Sequence, residues 1–324
     1  MKHTVTTPGG SVQTTVAHDV AKPKRRARAL VYRVGELLES YSMIAPAYMV
    51  FLVFIFIPVA WSFYLSLFNY SILSLRQPQF TGLANFIKMF KDSVFRVAIW
   101  NTLRYSLGTV PARLVLGLAL ALLLDQKHLS GKNLLRTVYF LPVVTSMVAA
   151  SIVWTLVFNA SEAGLANQML KALGFPPKGW LADSRLAMLS VCIMSVWKEL
   201  GYVMTIFLAG LQGIPPELHE AAAIDGATGW QRIRFITIPL LKPTTFFILV
   251  TEVIGSFQVF TQTYVMTGGG PGYSTTTLIN LLYTKGFFEF DMGYASGLAV
   301  TLFLGLLLLS WVMRRAFRAE EIVY

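Results

Sequence analysis

The sequence predicts an all-α, polytopic membrane protein with six transmembrane helices. Hydrophobic residues make up 55% of the 324 residues and charged residues only 13%, whereas soluble domains carry about 25% charged residues. Apolar stretches recur six times, and each reaches the roughly 20 residues that a helix needs to cross the hydrocarbon core. A segment in lipid must satisfy its own backbone hydrogen bonds, which favours helices for stretches of this length.

The predicted spans follow one another at 43–68, 97–124, 134–158, 186–211, 240–266 and 294–313. The fourth is the least apolar because Lys198 and Glu199 interrupt it. Between the first two spans, residues 80–95 mix phenylalanines with lysines, which predicts a helix in the headgroup region. Residues 267–276, TGGGPGYSTT, predict an outer turn because they are rich in glycine and contain a proline.

Lysines and arginines predict that both termini are cytoplasmic. Of the 27 such residues, sixteen fall on the side of the termini, eight on the other side and three within spans, and cytoplasmic loops carry the excess of positive charge. The predicted domains are a basic, largely disordered cytoplasmic tail (1–42), a transmembrane domain (43–313) and a cytoplasmic tail (314–324). The net charge of +11 predicts contact with anionic membrane lipid and no binding of nucleic acid.

A cytoplasmic loop at residues 212–239 has the features of a helix–glycine–helix hairpin. Pro215 and Pro216 suit the start of a helix. Gly226 can adopt the left-handed conformation that ends one, and Thr228 with Gln231 fits a capping box that starts a second. A hairpin of this kind at the membrane surface predicts a docking element.

Hydrolytic and metal chemistry are not indicated by any motif. Gly131-Lys132 is followed by Asn133, so it does not form a nucleotide-binding P-loop. The four histidines (His3, His18, His128 and His219) lack metal-ligand spacing. The sequence therefore predicts no catalytic residue, no metal site and no cofactor in this chain.

Two other classes of protein remain as alternatives at this point. An ion-coupled secondary transporter predicts an inverted repeat and more carboxylates within the spans than Glu199 and Glu252. A membrane enzyme predicts a carboxylate pair or a metal site on an exposed loop. Neither pattern is visible in the sequence.

The loop carries a family resemblance. Glu220-Ala221-Ala222, Gly226 and Ile236-x-Ile238-Pro239 resemble the cytoplasmic signature of ABC importer permeases, with isoleucine in place of the usual leucine before the proline. The TGGGP turn at 267–271 and Leu141-Pro142 resemble the sugar-importer branch, which includes the maltose, lactose and glycerol-phosphate permeases. Within that branch the chain is similar to the first, larger permease type over residues 43–313.

The resemblance implies a transport subunit of the bacterial inner membrane, with no hydrolytic activity of its own. A second, homologous permease would form the other half of the pathway, and two ATPase subunits would bind ATP and Mg. An extracytoplasmic solute-binding protein would deliver an oligosaccharide. The coupling residues implied are Glu220 as the charged contact, Ala221 and Ala222 as the packing face, and Asp225 with Gly226 at the bend.

The resemblance to the enteric maltose permease also implies sugar contacts in the fourth and fifth spans, at Trp197, Lys198, Glu199, Tyr202, Thr251, Gly255 and Gln258. Gln262 and Tyr264 offer further amide and aromatic groups of the kind that sugars require. Two alternatives stay open: the aromatic residues can serve packing alone, and Lys198 with Glu199 can pair with the partner permease.

Lys198 and Arg113 are cations within predicted spans, and an unpaired buried cation is costly. Glu199 follows Lys198 directly, so on a helix it points about 100° away and is a poor partner. Spare positive charge would suit a uronate or phosphorylated sugar, and among such importers one for alginate oligosaccharides fits best. A neutral oligosaccharide is the main competitor.

Overall fold

A computed structural model describes residues 41–73, 77–126 and 129–317. The chain divides into two compact units, Met1–Ala60 and Trp61–Tyr324. The predicted tails, apart from 41–42 and 314–317, lie outside the described residues. Helix α1 (Tyr41–Ser66) begins in the first unit and contains a π-helical turn at Leu52–Phe56. Nearly all its side chains up to Ala60 are exposed, which suits contact with lipid or with another membrane protein.

The described part of the second unit is helical apart from two short antiparallel strands, in which Phe68 pairs with Phe80. After α1 its elements are β1 (Phe68–Asn69), β2 (Gln79–Phe80), α2 (Ala84–Lys91), α3 (Ser93–Asp125), α4 (Lys132–Val144), α5 (Met147–Val157), α6 (Leu165–Ala172), α7 (Ala187–Gln212), α8 (Pro216–Ile224), α9 (Gly229–Leu240), α10 (Lys242–Phe257), α11 (Thr261–Thr267), α12 (Leu278–Tyr283) and α13 (Met292–Ala316). A π-helical turn, Thr284–Phe288, follows α12.

Within the described ranges four helices are long and apolar enough to cross a membrane, namely α1, α3, α7 and α13. Two further spans are pairs of helices that bend at a short break. The chain bends by 100° between α4 and α5 and by 64° between α9 and α10. The predicted all-α polytopic fold is confirmed, with up to six spans if each bent pair is counted once. The fourth predicted span is a continuous helix despite Lys198 and Glu199. The third and fifth predictions were wrong in treating those spans as unbroken helices.

The break in the third span lies just after Pro142. The Thr145 hydroxyl donates to the Pro142 carbonyl over 2.7 Å, and the Thr145 N–H donates to the same oxygen over 3.2 Å. These bonds close the last turn of α4, and the chain then leaves in a new direction. At Gly201 of α7 a Cβ would collide with the Tyr139 carbonyl and with Phe140 Cα. The glycine therefore allows α4 to lie directly against α7.

The fifth predicted span, 240–266, also differs in extent. Helix α10 ends at Phe257, and the next helix, α11, starts only at Thr261. Between them the Val259 carbonyl accepts a hydrogen bond from the Thr277 hydroxyl over 2.9 Å. Thr277 directly precedes α12, and its hydroxyl gives the Val259 carbonyl the hydrogen bond that a backbone N–H would supply in a continuous helix.

Residues 267–276 form the predicted turn. Gly268, Gly269 and Gly272 have positive φ angles of 61°, 86° and 55°, a region that glycine enters at little cost. The Asn101 amide of α3 donates to the Tyr273 and Thr276 carbonyls over 2.7 and 3.0 Å. A side chain from a long helix therefore holds the turn in place.

The main apolar core of the second unit forms where α3, α7 and α10 meet. Its fully buried members include Leu124 of α3, Phe207 of α7 and Ile248 of α10. Ile214, just before α8, belongs to the same cluster. The loop predicted at 212–239 is consequently anchored in the core at its first residues, although helix α8 within it has no buried residue.

Candidate functional site: a polar cavity and an exposed hairpin

A cavity of about 460 Å³ lies among α3, α5, α7, α10 and α11, within the usual range of ligand pockets. It brings together five of the seven predicted sugar contacts, Glu199, Tyr202, Thr251, Gly255 and Gln258, together with Gln262. The rest of its lining is Tyr105, Arg113, Met147, Glu252, Ser256, Val259, Phe260 and Thr261.

The wall of the cavity offers hydroxyl, amide and aromatic groups. Gln262 Nε2 donates to the Tyr105 hydroxyl over 2.7 Å, and the Ser256 hydroxyl donates to that of Ser106 over 2.8 Å. Apart from its chain neighbours and the backbone of its own helix, no described heavy atom lies within 4 Å of the position that a Cβ would take at Gly255. A polar wall with an open centre can bind a polar solute through hydrogen bonds and ring stacking.

A buried ion pair forms part of the same wall. Arg113 Nη1 lies 2.6 Å from Glu252 Oε2, and each side chain is only 6% exposed. Arg113 Nη2 also donates to the Ser195 carbonyl over 2.9 Å. The pair thus joins α3, α7 and α10. The sequence-based premise that Arg113 is an unpaired cation was wrong, because a carboxylate 139 residues away in the chain neutralises it.

Lys198 also has a partner, and it does not line the cavity. Its side chain is buried, and Nζ donates to the Val143 carbonyl over 3.0 Å. Val143 lies in the last turn of α4, where carbonyls have no partner within the helix. A cation is also favoured at the negative end of the helix dipole. Lys198 therefore caps the broken third span, and it supplies no spare charge to the cavity.

Two predicted aromatic residues lie outside the cavity lining. The Trp197 ring packs against Trp154, with 5.4 Å between centroids. Tyr264 stacks on Phe260 at 5.1 Å and also contacts Tyr283. Of these rings only Phe260 reaches the cavity.

Sequence reasoning missed the contribution of α3. A stripe of polar residues runs along this helix at spacings of three and four or in adjacent pairs, and all are buried: Asn101, Thr102, Tyr105, Ser106, Thr109 and Arg113. A polar stripe with helical periodicity in an apolar span indicates a face turned toward protein. That pattern would have placed Tyr105 and Arg113 at an internal site.

The hairpin at 216–239 has the predicted geometry. Gly226 has a φ of +80°. The Ala227 N–H donates to the Ala222 carbonyl over 2.9 Å, and the Gly226 N–H donates to the Ala223 carbonyl over 3.1 Å, which is the Schellman arrangement. Thr228 and Gln231 form the predicted capping box at the start of α9. The helix–glycine–helix prediction is confirmed.

The surface of the hairpin is open. Helix α8 has no buried residue; Glu220, Ala221 and Asp225 are exposed and Ala222 is half-buried. Large apolar side chains are exposed beside them, with Ile224 at 87%, Trp230 at 66% and Phe235 at 69%. Such side chains at a membrane surface suit a protein partner.

Acidic residues, histidines and cysteine do not assemble into a metal site in the described part of the chain. Cys192 is buried, as expected for a cysteine that packs as a small apolar residue.

Residues 113–319 match the family described as binding-protein-dependent transport system inner membrane component, and the chain belongs to this family. It is 38% identical over 284 residues to the probable ABC transporter permease protein YurN of Bacillus subtilis, covering 87% of this chain and 96% of the relative. It is 36% identical to the trehalose/maltose transport system permease protein MalF of Thermococcus litoralis (88% and 94%). It is 33% identical to the arabinooligosaccharides transport system permease protein AraP of Bacillus subtilis (93% and 95%).

Among solved structures, one chain of a bacterial ABC transporter involved in the import of the acidic polysaccharide alginate is 24% identical, with a TM-score of 0.78, covering 90% of this chain and 98% of that one. At this identity the likeness shows the fold. The family and the relatives together show a multi-pass inner-membrane permease subunit of an ABC sugar transporter. It is a transport protein and no enzyme, and ATP is bound by a separate ATPase. The resemblance is confirmed, and the two alternative classes are excluded.

The Arg113–Glu252 pair should dominate the stability of the membrane domain around the cavity. We expect Glu252→Leu to lower the free energy of unfolding by about 3–5 kcal/mol, because it leaves Arg113 charged and buried without a partner. Adding Arg113→Met should restore most of the loss, since the double variant buries no charge. Denaturant titration in mixed micelles measures both. Equal or larger destabilisation in the double variant would contradict the ion-pair argument.

Proposed function

We propose that this chain forms half of the translocation pathway of an importer for oligosaccharides, and that the cavity at Tyr202, Gly255 and Gln258 is its sugar site. The observation that carries the proposal is the polar cavity itself, enclosed by spans of a sugar-transporter permease. Arg113 Nε adds support, because it is buried without an acceptor among the described residues. A sugar hydroxyl or a water molecule would satisfy it.

The charges of the cavity favour a neutral sugar. Its charged lining residues are Arg113, Glu199 and Glu252, and the Tyr105 and Tyr202 hydroxyls also line it. Arg113 and Glu252 neutralise each other, which leaves Glu199 as a lining charge that forms no ion pair with a described residue. A uronate beside this wall would meet a carboxylate, whereas neutral hydroxyls can donate to it. We therefore infer a neutral oligosaccharide in place of the acidic one that the sequence suggested.

The pathway can be tested by filling the cavity. We expect Gly255→Met to abolish sugar uptake by the assembled transporter in vesicles, because the side chain would occupy open space in the cavity. Gly305→Met is the matched control, since Gly305 of α13 also has no atom within 4 Å of a Cβ position and does not line the cavity. Its uptake should stay within about twofold of the original, because scattered surface changes cost little.

Neutral and uronate oligosaccharides are supplied in parallel in this assay. Equal uptake by the two glycine variants would contradict the position of the site. Uptake of uronates alone, blocked by Gly255→Met, would retain the site and overturn the neutral substrate.

We further propose that the hairpin at 216–239 docks on the ATPase. Glu220 would be the charged contact, Ala221 and Ala222 the close-packing face, and Asp225 with Gly226 the bend. Their exposure supports this role, as does the exposure of Ile224 and Trp230 beside them. A second permease would complete the pathway, and a solute-binding protein would deliver the sugar.

The bend at Gly226 offers a test of coupling. We expect Gly226→Val to reduce sugar-stimulated ATP hydrolysis at least tenfold, because a β-branched residue strongly disfavours a φ of +80°. Gly229→Val is the control, since Gly229 lies three residues further on, in equally open space and without positive φ. Both variants should insert and assemble normally. Full coupling in the Gly226→Val transporter would contradict the docking role.

The orientation that we propose places both termini and the hairpin in the cytoplasm. In a Cys192→Ala background, Ile224→Cys should react with a membrane-impermeant thiol reagent only in inside-out vesicles. Tyr273→Cys, on the outer turn and 57% exposed, should react only in right-side-out cells. A reversed pattern at either position would overturn the topology.

A further inference from the structure

A second groove lies between α4 and α7 and shares no lining residue with the sugar cavity. Its volume is about 560 Å³, and its walls are Arg136, Thr137, Phe140, Leu141 and Val144 of α4 with Met204, Thr205, Leu208, Ala209 and Gln212 of α7. The groove is elongated along α4, because Arg136 and Val144 are eight residues, or about 12 Å, apart on the helix.

The groove is polar at one end and apolar at the other. Helices α4 and α7 run antiparallel, since Tyr139 lies against Gly201 while Val143 accepts from Lys198. Arg136 and Thr137 are therefore at the same end as Gln212. Toward the middle of the span the walls are Leu141, Val144 and Met204. A phospholipid has the same arrangement, with a polar headgroup at the membrane surface and acyl chains toward the middle of the bilayer.

No carboxylate of a described residue pairs with the cations at the polar end. Arg136 Nε is buried without a hydrogen-bond partner among the described residues. Lys132 lies one helical turn earlier on the same face, and like charges at this spacing repel each other. Neither cation forms an ion pair with a described residue. A phosphate would relieve the repulsion and accept a charge-assisted hydrogen bond from the guanidinium.

We propose that the groove binds one anionic phospholipid, with its phosphate at Arg136 and an acyl chain along Phe140, Leu141 and Val144. The chain would cover apolar side chains that are 37%, 61% and 68% exposed, and a basic pocket between spans is a typical headgroup site. The site adjoins the last residue of α7, directly before the cytoplasmic hairpin.

The test uses the whole transporter, purified from its host through a tag on this chain and placed in phosphatidylcholine vesicles. Spin-labelled phosphatidylglycerol and phosphatidylcholine report the lipid that is immobilised on the protein. We expect about fivefold preference for phosphatidylglycerol at one site, since one surface cation contributes about this factor. Arg136→Gln should abolish the preference. Arg234→Gln is the control, since Arg234 lies over the Phe235 ring and does not line the groove.

A second variant addresses the groove itself. Ala209→Phe fills it without changing charge, and it should remove the immobilised lipid even if Arg136→Gln fails to assemble. An unchanged preference for phosphatidylglycerol in both variants would overturn the proposal. So would a groove that the second permease covers, which cross-linking of Leu141→Cys to that subunit would reveal. Displacement of the labelled lipid by inorganic phosphate alone would show an anion site without an acyl chain, and it would also overturn the proposal.

Discussion

The structure depends on one constraint, namely that backbone groups inside a bilayer need partners. An unbroken helix meets it by itself, but two spans of this permease are broken. At the first break Lys198 and Thr145 bond to carbonyls at the end of α4. After α10 the Thr277 hydroxyl bonds to Val259. Lys198 and Thr277 thus stabilise these two breaks from distant parts of the fold, and the break after α10 lies at the cavity beside Gln258.

The same constraint explains what sequence could and could not predict. The number of spans follows from length and hydropathy, and the hairpin follows from local rules about Gly226, Thr228 and Gln231. The breaks were missed because an apolar stretch looks alike whether the helix is straight or bent. Arg113 and Lys198 were taken for spare cations because their partners, Glu252 and Val143, are distant in sequence. Five predicted sugar contacts line one cavity. Trp197 instead packs against Trp154, and Lys198 donates to the Val143 carbonyl.

The sugar cavity and the groove between α4 and α7 differ in how their charged side chains are paired. Around the cavity Arg113 has a carboxylate partner, and Glu199 is the remaining charge of the lining. In the first turns of α4, Lys132 and Arg136 form no ion pair with a described residue. The buried Nε of Arg136 therefore needs an acceptor from outside the described chain. The cavity therefore suits hydroxyl-rich solutes, and the groove suits an anion, although both are lined by α7.

Helix α3 has a mechanical consequence. Its 33 residues extend about 50 Å, well beyond the hydrocarbon thickness of about 30 Å. Near one end Asn101 holds the turn at 267–276, and at the other Leu124 packs in the cluster that contains Ile214, two residues before the hairpin. One helix therefore links both regions, and Pro111 lies within it. A proline in a helix interior removes a backbone hydrogen bond and weakens the helix at that point, so a tilt imposed at the hairpin would reach the turn through a bend at Pro111, beside the Arg113–Glu252 pair.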